Sequence, residues 1–147
     1  MATQYAITTG STALAAATAK TLIEGSSTAN VPPEWIAVDI TFDGVTASAV
    51  PVRVDFCTFA ATGTGTAYTP KRLGQAVGTS QSTWKINDTV EPTTPTILFS
   101  WFIPPTSGVQ YVWPLGRELF HPVSTVQGIR LTAPAVVNAI VNLVIEE

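Results

Sequence analysis

The chain of 147 residues and 15.5 kDa has the length of one domain, 1–147, long enough to bury a core without a metal or disulfide. Hydrophobic residues make up 46% and charged residues only 12%, about half the usual share, and threonine, present 23 times, supplies the missing polarity. The hydrophobic share excludes a disordered chain, and a net charge of −3 with seven Lys and Arg excludes the basic stripe that nucleic-acid binding needs.

The N-terminus, MATQYAITTG, has no basic residue before Lys20 and no unbroken apolar core, so it does not read as a secretory signal. Residues 1–14 read as an N-terminal arm or edge strand, with Gln4–Thr8 as a weak strand. The alanine-rich Leu14–Ala19 has room for one helical turn, and Thr18–Glu24 is a second weak strand. Trp35–Phe42 carries the clearest alternation, with Ile36, Val38, Ile40 and Phe42 on one face and Ala37, Asp39 and Thr41 on the other. Asp43-Gly44 reads as the turn that ends it.

Val50–Phe59 follows, with Val52, Val54 and Phe56 inward and Arg53 and Asp55 outward as a solvent-exposed pair. The single Cys57 lies between Phe56 and Phe59 and reads as a buried, inert thiol. Ala60–Ser80 contains Thr62-Gly63-Thr64-Gly65-Thr66 and reads as a flexible surface excursion. Ser82–Asn87 is a weak strand. Thr96–Ile103 is nearly all apolar, so it is expected to be covered on both faces before Pro104-Pro105 ends it. Val109–Trp113 and Gln127–Thr132 are further weak strands. Val136–Ile145 fits both helical and strand spacing, and its β-branched residues favour the strand. No apolar run reaches the roughly 18–20 residues needed to span a bilayer. Eight to ten short antiparallel strands with Gly and Pro between them describe an all-β sandwich of jelly-roll type.

The search for chemistry yields little. Gly63-Thr64-Gly65 lacks the Gly-Lys-Ser/Thr that completes a phosphate loop. His121 lies near Glu118 without a nucleophile beside it, and Ser124 has no motif around it, so His121 reads as a surface or turn residue. Asp39, Asp43, Asp55, Asp88 and the six glutamates are scattered, with no calcium-loop pattern. Asn87-Asp88-Thr89 matches a glycosylation sequon and reads as a turn. Catalytic residues, metal ligands and cofactor sites are therefore not assigned, and the chain does not read as an enzyme. Trp35 and Trp101 belong to apolar strands and to the core. Trp84 and Trp113, flanked by polar or turn residues, are candidates for exposed contact, with a sugar or with a protein. So few charges leave strand edges unprotected against association, which points to an oligomer or assembly component.

Several stretches carry a family likeness. They are Tyr5–Gly10, Ala15–Thr21, Phe42–Val45 continuing through Ala47–Val54, Pro114–Glu118, Leu131–Ala135 and the terminal Ile145-Glu146-Glu147. In texture and order they resemble small head decoration, or capsid cement, proteins of tailed bacteriophages. The resemblance implies a β-sandwich on the outer capsid surface that clamps neighbouring subunits. It implies the major capsid protein as partner, a homotrimeric state and the host cytoplasm as the place of assembly; charge and the lack of a long apolar run speak against a nucleic-acid or membrane partner. The family offers no motif to transfer residue by residue. Candidate contacts therefore come from the residues themselves: Tyr5, Ile7, Thr9 and Leu14 in Tyr5–Leu14, Thr64, Thr66 and Tyr68 in Ala60–Pro70, and Trp84 and Trp113. The alternative is a carbohydrate- or receptor-binding module of a phage fibre or tail, using Trp84, Trp113 and Tyr111.

Overall fold

The computed structural model describes residues 2–45, 50–74 and 78–147. Of the stretches weighed above, 46–49 and 75–77 lie outside them. Period-two alternation builds β1 (Gln4–Thr8), β2 (Thr12–Leu14), β3 (Ala19–Ser26), β4 (Glu34–Phe42), β5 (Val52–Phe59), β6 (Thr64–Tyr68) and β7 (Lys71–Arg72). There follow β8 (Thr83–Val90), β9 (Thr96–Ile103), β10 (Gly108–Val112), β11 (Leu119–Phe120), β12 (Val126–Thr132) and β13 (Val137–Glu146). The described residues thus form thirteen strands and not eight to ten. Of the additional ones, β2, β7 and β11 are two or three residues long, too short for alternation to show in the sequence, and β6 has the Thr-Gly-Thr composition of a loop.

Two antiparallel sheets pack face to face as a sandwich. One has the order β10-β4-β13-β1-β7, with β11 also on β4 and β2 also on β13; the other runs β6-β8-β3-β12-β5-β9. In β13, Val137, Ala139, Val141, Leu143 and Ile145 all point into the core and the alternate residues are half-buried, so the β-branched residues do select the strand. The expected helical turn at Leu14–Ala19 is absent. Leu14 ends β2 against Val137, Ala16 bridges Ala133, and Ala17 turns the chain at φ 55°. Nor is the N-terminus an arm or an edge: β1 is hydrogen-bonded to β13 on one side and β7 on the other.

The alternation of β4 breaks where the sequence gives no warning. Its pairing with β13 shifts between Val144 and Ile145, so Ala37 faces Val144 while Trp35 faces Ile145. The extra residue, Ile36, leaves the core face, and Trp35 takes its place there beside Val38 and Ile40. Trp35 is completely buried, with ring centroids at 6.3 Å from Phe56, 6.3 Å from Trp84 and 6.2 Å from His121.

Strand β9 overturns a second expectation. Among the described residues it pairs with β5 alone and forms the edge of its sheet; Ile103 is buried and Phe99 and Trp101 half-buried, while the rest of the strand is exposed. Ile97, Leu98 and Phe102 are exposed, Phe102 to 71%.

Candidate functional site

Six of the nine candidate contact residues lie in the interior. Tyr5, Ile7, Thr9 and Leu14 are buried because β1 and β2 lie against β13 with alternate side chains directed inward. Thr9 has a structural task, since its Oγ1 accepts the Val141 N–H at 3.0 Å. Trp84 is buried too, its ring lying so close to Gly25 that a Cβ there would meet it at 2.5 Å. Trp113 is buried by Phe56 and Tyr111, at 6.1 and 5.2 Å between centroids. Polar neighbours in sequence suggested exposure for these two tryptophans, but the rings turn inward. That removes the aromatic platform on which sugar recognition was to rest, leaving only a part-exposed Tyr111. Thr64, Thr66 and Tyr68 fare otherwise. They form β6, a true edge strand and not a free loop, with both threonines exposed and Tyr68 half-buried.

The groups with reactive chemistry are locked in the core. His121 is fully buried and no surface residue; its Nε2 lies 3.1 Å from the Thr125 carbonyl, and the Trp35 and Trp84 rings stand edge-on to it at 6.2 Å. Burial pushes its pKa down to about 4, so at neutral pH the imidazole is uncharged. Cys57 is buried, and desolvation pushes its thiol up to about 11. A thiolate is the reactive species, so native protein at pH 8 is expected to resist an aromatic disulfide reagent that labels it fully in denaturant. Rapid labelling of the native protein would contradict that burial.

Asp55 also departs from expectation. Instead of facing solvent, it is buried, with Arg53 Nε at 2.8 Å, Arg130 Nη2 at 3.2 Å and the Ser100 hydroxyl donating to it. Burial raises its pKa, but the hydrogen bonds from Ser100, Arg130 and Arg53 outweigh that and hold the carboxyl below its usual range. This network ties β5, β9 and β12 together on the outer face of their sheet.

A second exposed edge is the flank where β9 and β10 lie, edge strands of opposite sheets joined through Pro104-Pro105. Between the sheets an aromatic cluster closes it: Phe56 stacks on Phe99 at 4.4 Å, and Trp101 lies 5.0 Å from Phe56 and 5.5 Å from Tyr111. Outside the cluster Ile97, Leu98, Phe102 and Val112 meet solvent. Just beyond, at the end of the sandwich, a cavity of about 420 Å³ is lined by Val45, Val50, Pro105 and Val136, among others. The signal for this flank is legible in the chain, because residues 92–116 contain no charged side chain at all. Edge strands ordinarily carry a lysine, a proline or an inward charge against association, and β9 carries none. Comparison with known protein families, with curated proteins and with solved structures returned no match.

Proposed function

We propose that the chain is a structural protein of a bacteriophage virion, a trimer that binds the outer capsid surface and bridges neighbouring subunits by adhesion, without turnover. The observation that carries this reading is that both edges of the six-stranded sheet, β6 and β9, are uncharged. A bridge needs two separate contact surfaces. Five strand spacings of about 4.8 Å separate these edges by roughly 24 Å, so the two can serve different partners. On this reading the apolar β9–β10 flank joins copies of the chain, while the hydroxyl-rich β6 edge, with Thr64 and Thr66, meets the major capsid protein. Each contact can be weak, because a trimer seated on several subunits binds at high effective concentration. The near absence of charge makes such binding weakly dependent on salt.

Two lysine variants separate the surfaces. Ile97→Lys with Phe102→Lys is expected to convert the trimer to monomers in sedimentation at tens of micromolar, and to lower occupancy on purified expanded capsids at least tenfold. Thr64→Lys with Thr66→Lys is expected to leave the trimer intact and lower occupancy alone. Full occupancy by this second variant would move the capsid contact elsewhere, and a monomeric wild type would remove the trimer.

A further inference from the structure

A tightly constrained polar site lies under the entry to β6. Glu24 of β3 and Asp88 of β8 are both buried, although the sandwich core is on the other side of Glu24's sheet from the strap that covers it. The Gly63 N–H donates to Glu24 Oε2 at 2.7 Å. Lys85 Nζ donates to the Gly63 carbonyl at 2.7 Å and stands 3.5 Å from Glu24 Oε1. One residue is thus gripped at both its amide and its carbonyl by an ion pair. Asp88 fills the space beneath: a Cβ on Gly65 would lie 2.0 Å from its Oδ1, and one on Gly63 2.7 Å from its Oδ2. Only glycine at both positions lets the strap lie on that carboxyl group.

The hydrogen bonding there is incomplete without a proton. Neither Asp88 oxygen meets a donor, and Glu24 Oε1 has only the Lys85 ammonium nearby. Both carboxyl groups lie against Gly63, Glu24 with its Oε2 2.7 Å from the Gly63 N–H and Asp88 with its Oδ2 2.7 Å from where a Gly63 Cβ would stand, so a proton held between the two acids supplies the donor that Asp88 lacks. Two ionised carboxylates in one buried site repel and are each poorly solvated. The other charges around them are Lys85, Glu91, which is bound to the Thr21 amide and hydroxyl, and Lys20, which shares a surface depression with Asp88 and Glu91; β6 has none. Burial first, then the Glu24 charge, pushes Asp88 up to about 7.

We propose that the Glu24–Asp88 pair is a proton-held latch: while the two share a proton the Gly63–Gly65 strap lies closed on β8, and losing that proton releases β6 from the sheet edge. Release would bare the edge of β8 and withdraw Thr64 and Thr66 from the position they hold on the surface. The latch belongs to the free protein and does not depend on what β6 meets.

Backbone hydrogen exchange of the free protein at pH 5.5 and 8.5, corrected for the intrinsic rate, reads the latch directly. In the wild type, protection of residues 64–68 is expected to fall at least tenfold at the higher pH, while that of β12 stays constant. In Asp88→Asn the side chain carries its own N–H donor and no titrating proton, and protection of 64–68 is expected to be the same at both values. Glu24→Gln, donating to Asp88, is the second variant should the first not fold. Unchanged wild-type protection would overturn the proposal, as would an equal loss in the wild type and a folded variant. Because no capsid is present, failure here leaves the virion reading standing, and failure of capsid binding leaves the latch standing.

Discussion

Trp35→Ala is expected to cost about 3–5 kcal/mol, the usual range for removing a large buried aromatic, while Ile36→Ala costs under about 1.5 kcal/mol. For a domain of this size the first loss lowers the melting temperature by roughly 10 °C, a large part of an ordinary stability of about 5–15 kcal/mol. The contrast follows from the bulge in β4. Trp35 is fully buried among Phe56, Trp84 and His121, whereas Ile36 is only half-buried. Removing the indole opens a cavity that three other rings cannot fill without leaving their rotamers. Urea denaturation followed by far-ultraviolet circular dichroism measures both variants. An Ile36→Ala loss larger than that of Trp35→Ala would mean that the register of β4 is the regular one.

The second large effect is a cancellation between two buried groups in their response to pH. His121 has its pKa lowered from 6.5 to about 4, by burial first, against the Thr125 carbonyl bond and the Glu147 charge. The folded protein therefore binds fewer protons at this site than the unfolded chain. Its contribution is full above pH 6.5 and is lost as pH falls towards 4. Asp88 has its pKa raised from 3.8 to about 7, so the folded protein holds the extra proton, and that contribution is full below pH 3.8 and lost as pH rises to about 7. Between about pH 4 and 6.5 the two slopes oppose each other, each with a limit of about 1.4 kcal/mol per pH unit.

The wild type is accordingly expected to change less across this window than either single variant does. Asp88→Asn leaves the histidine alone, and its stability is expected to rise by about 2–3 kcal/mol from pH 4 to 6.5. His121→Asn leaves the acid pair alone, and its stability is expected to fall by a similar amount over the same range. Denaturant midpoints at four or five pH values give the three curves. Parallel curves would show that neither group changes its protonation on folding.

Most strands were legible because each carries its own alternation or an apolar run bounded by turn residues. Gln4–Thr8 and Thr96–Ile103 are found with the boundaries read from the chain, and Val137–Glu146 is a strand, as its β-branched residues require. Thr64–Tyr68 was not legible as a strand. Its Thr-Gly-Thr composition resembles a loop, and it is a strand because β8 offers an edge and because Gly63 and Gly65 clear the Asp88 carboxyl group. The candidate contacts in Tyr5–Leu14 are buried because β1 and β2 lie against β13 with those side chains inward. A short strand near a terminus looks like an edge until β7, itself only two residues long, is seen on its outer side.

Composition and alternation by themselves determined an all-β sandwich, the inert thiol, the turn residues and the shortage of charge that leaves an edge open. Those properties are local, set by each residue's side chain and its near neighbours. Only the tertiary structure decided which edge is open, because strand order depends on pairings between residues far apart in the chain. It also decided which aromatic rings face inward, since a single bulge exchanges Ile36 for Trp35. Above all it brought Glu24, Gly63, Lys85 and Asp88 to one point. Scattered through the sequence they are ordinary charges and glycines, and the exclusion of water by three strands and a strap makes their protonation matter.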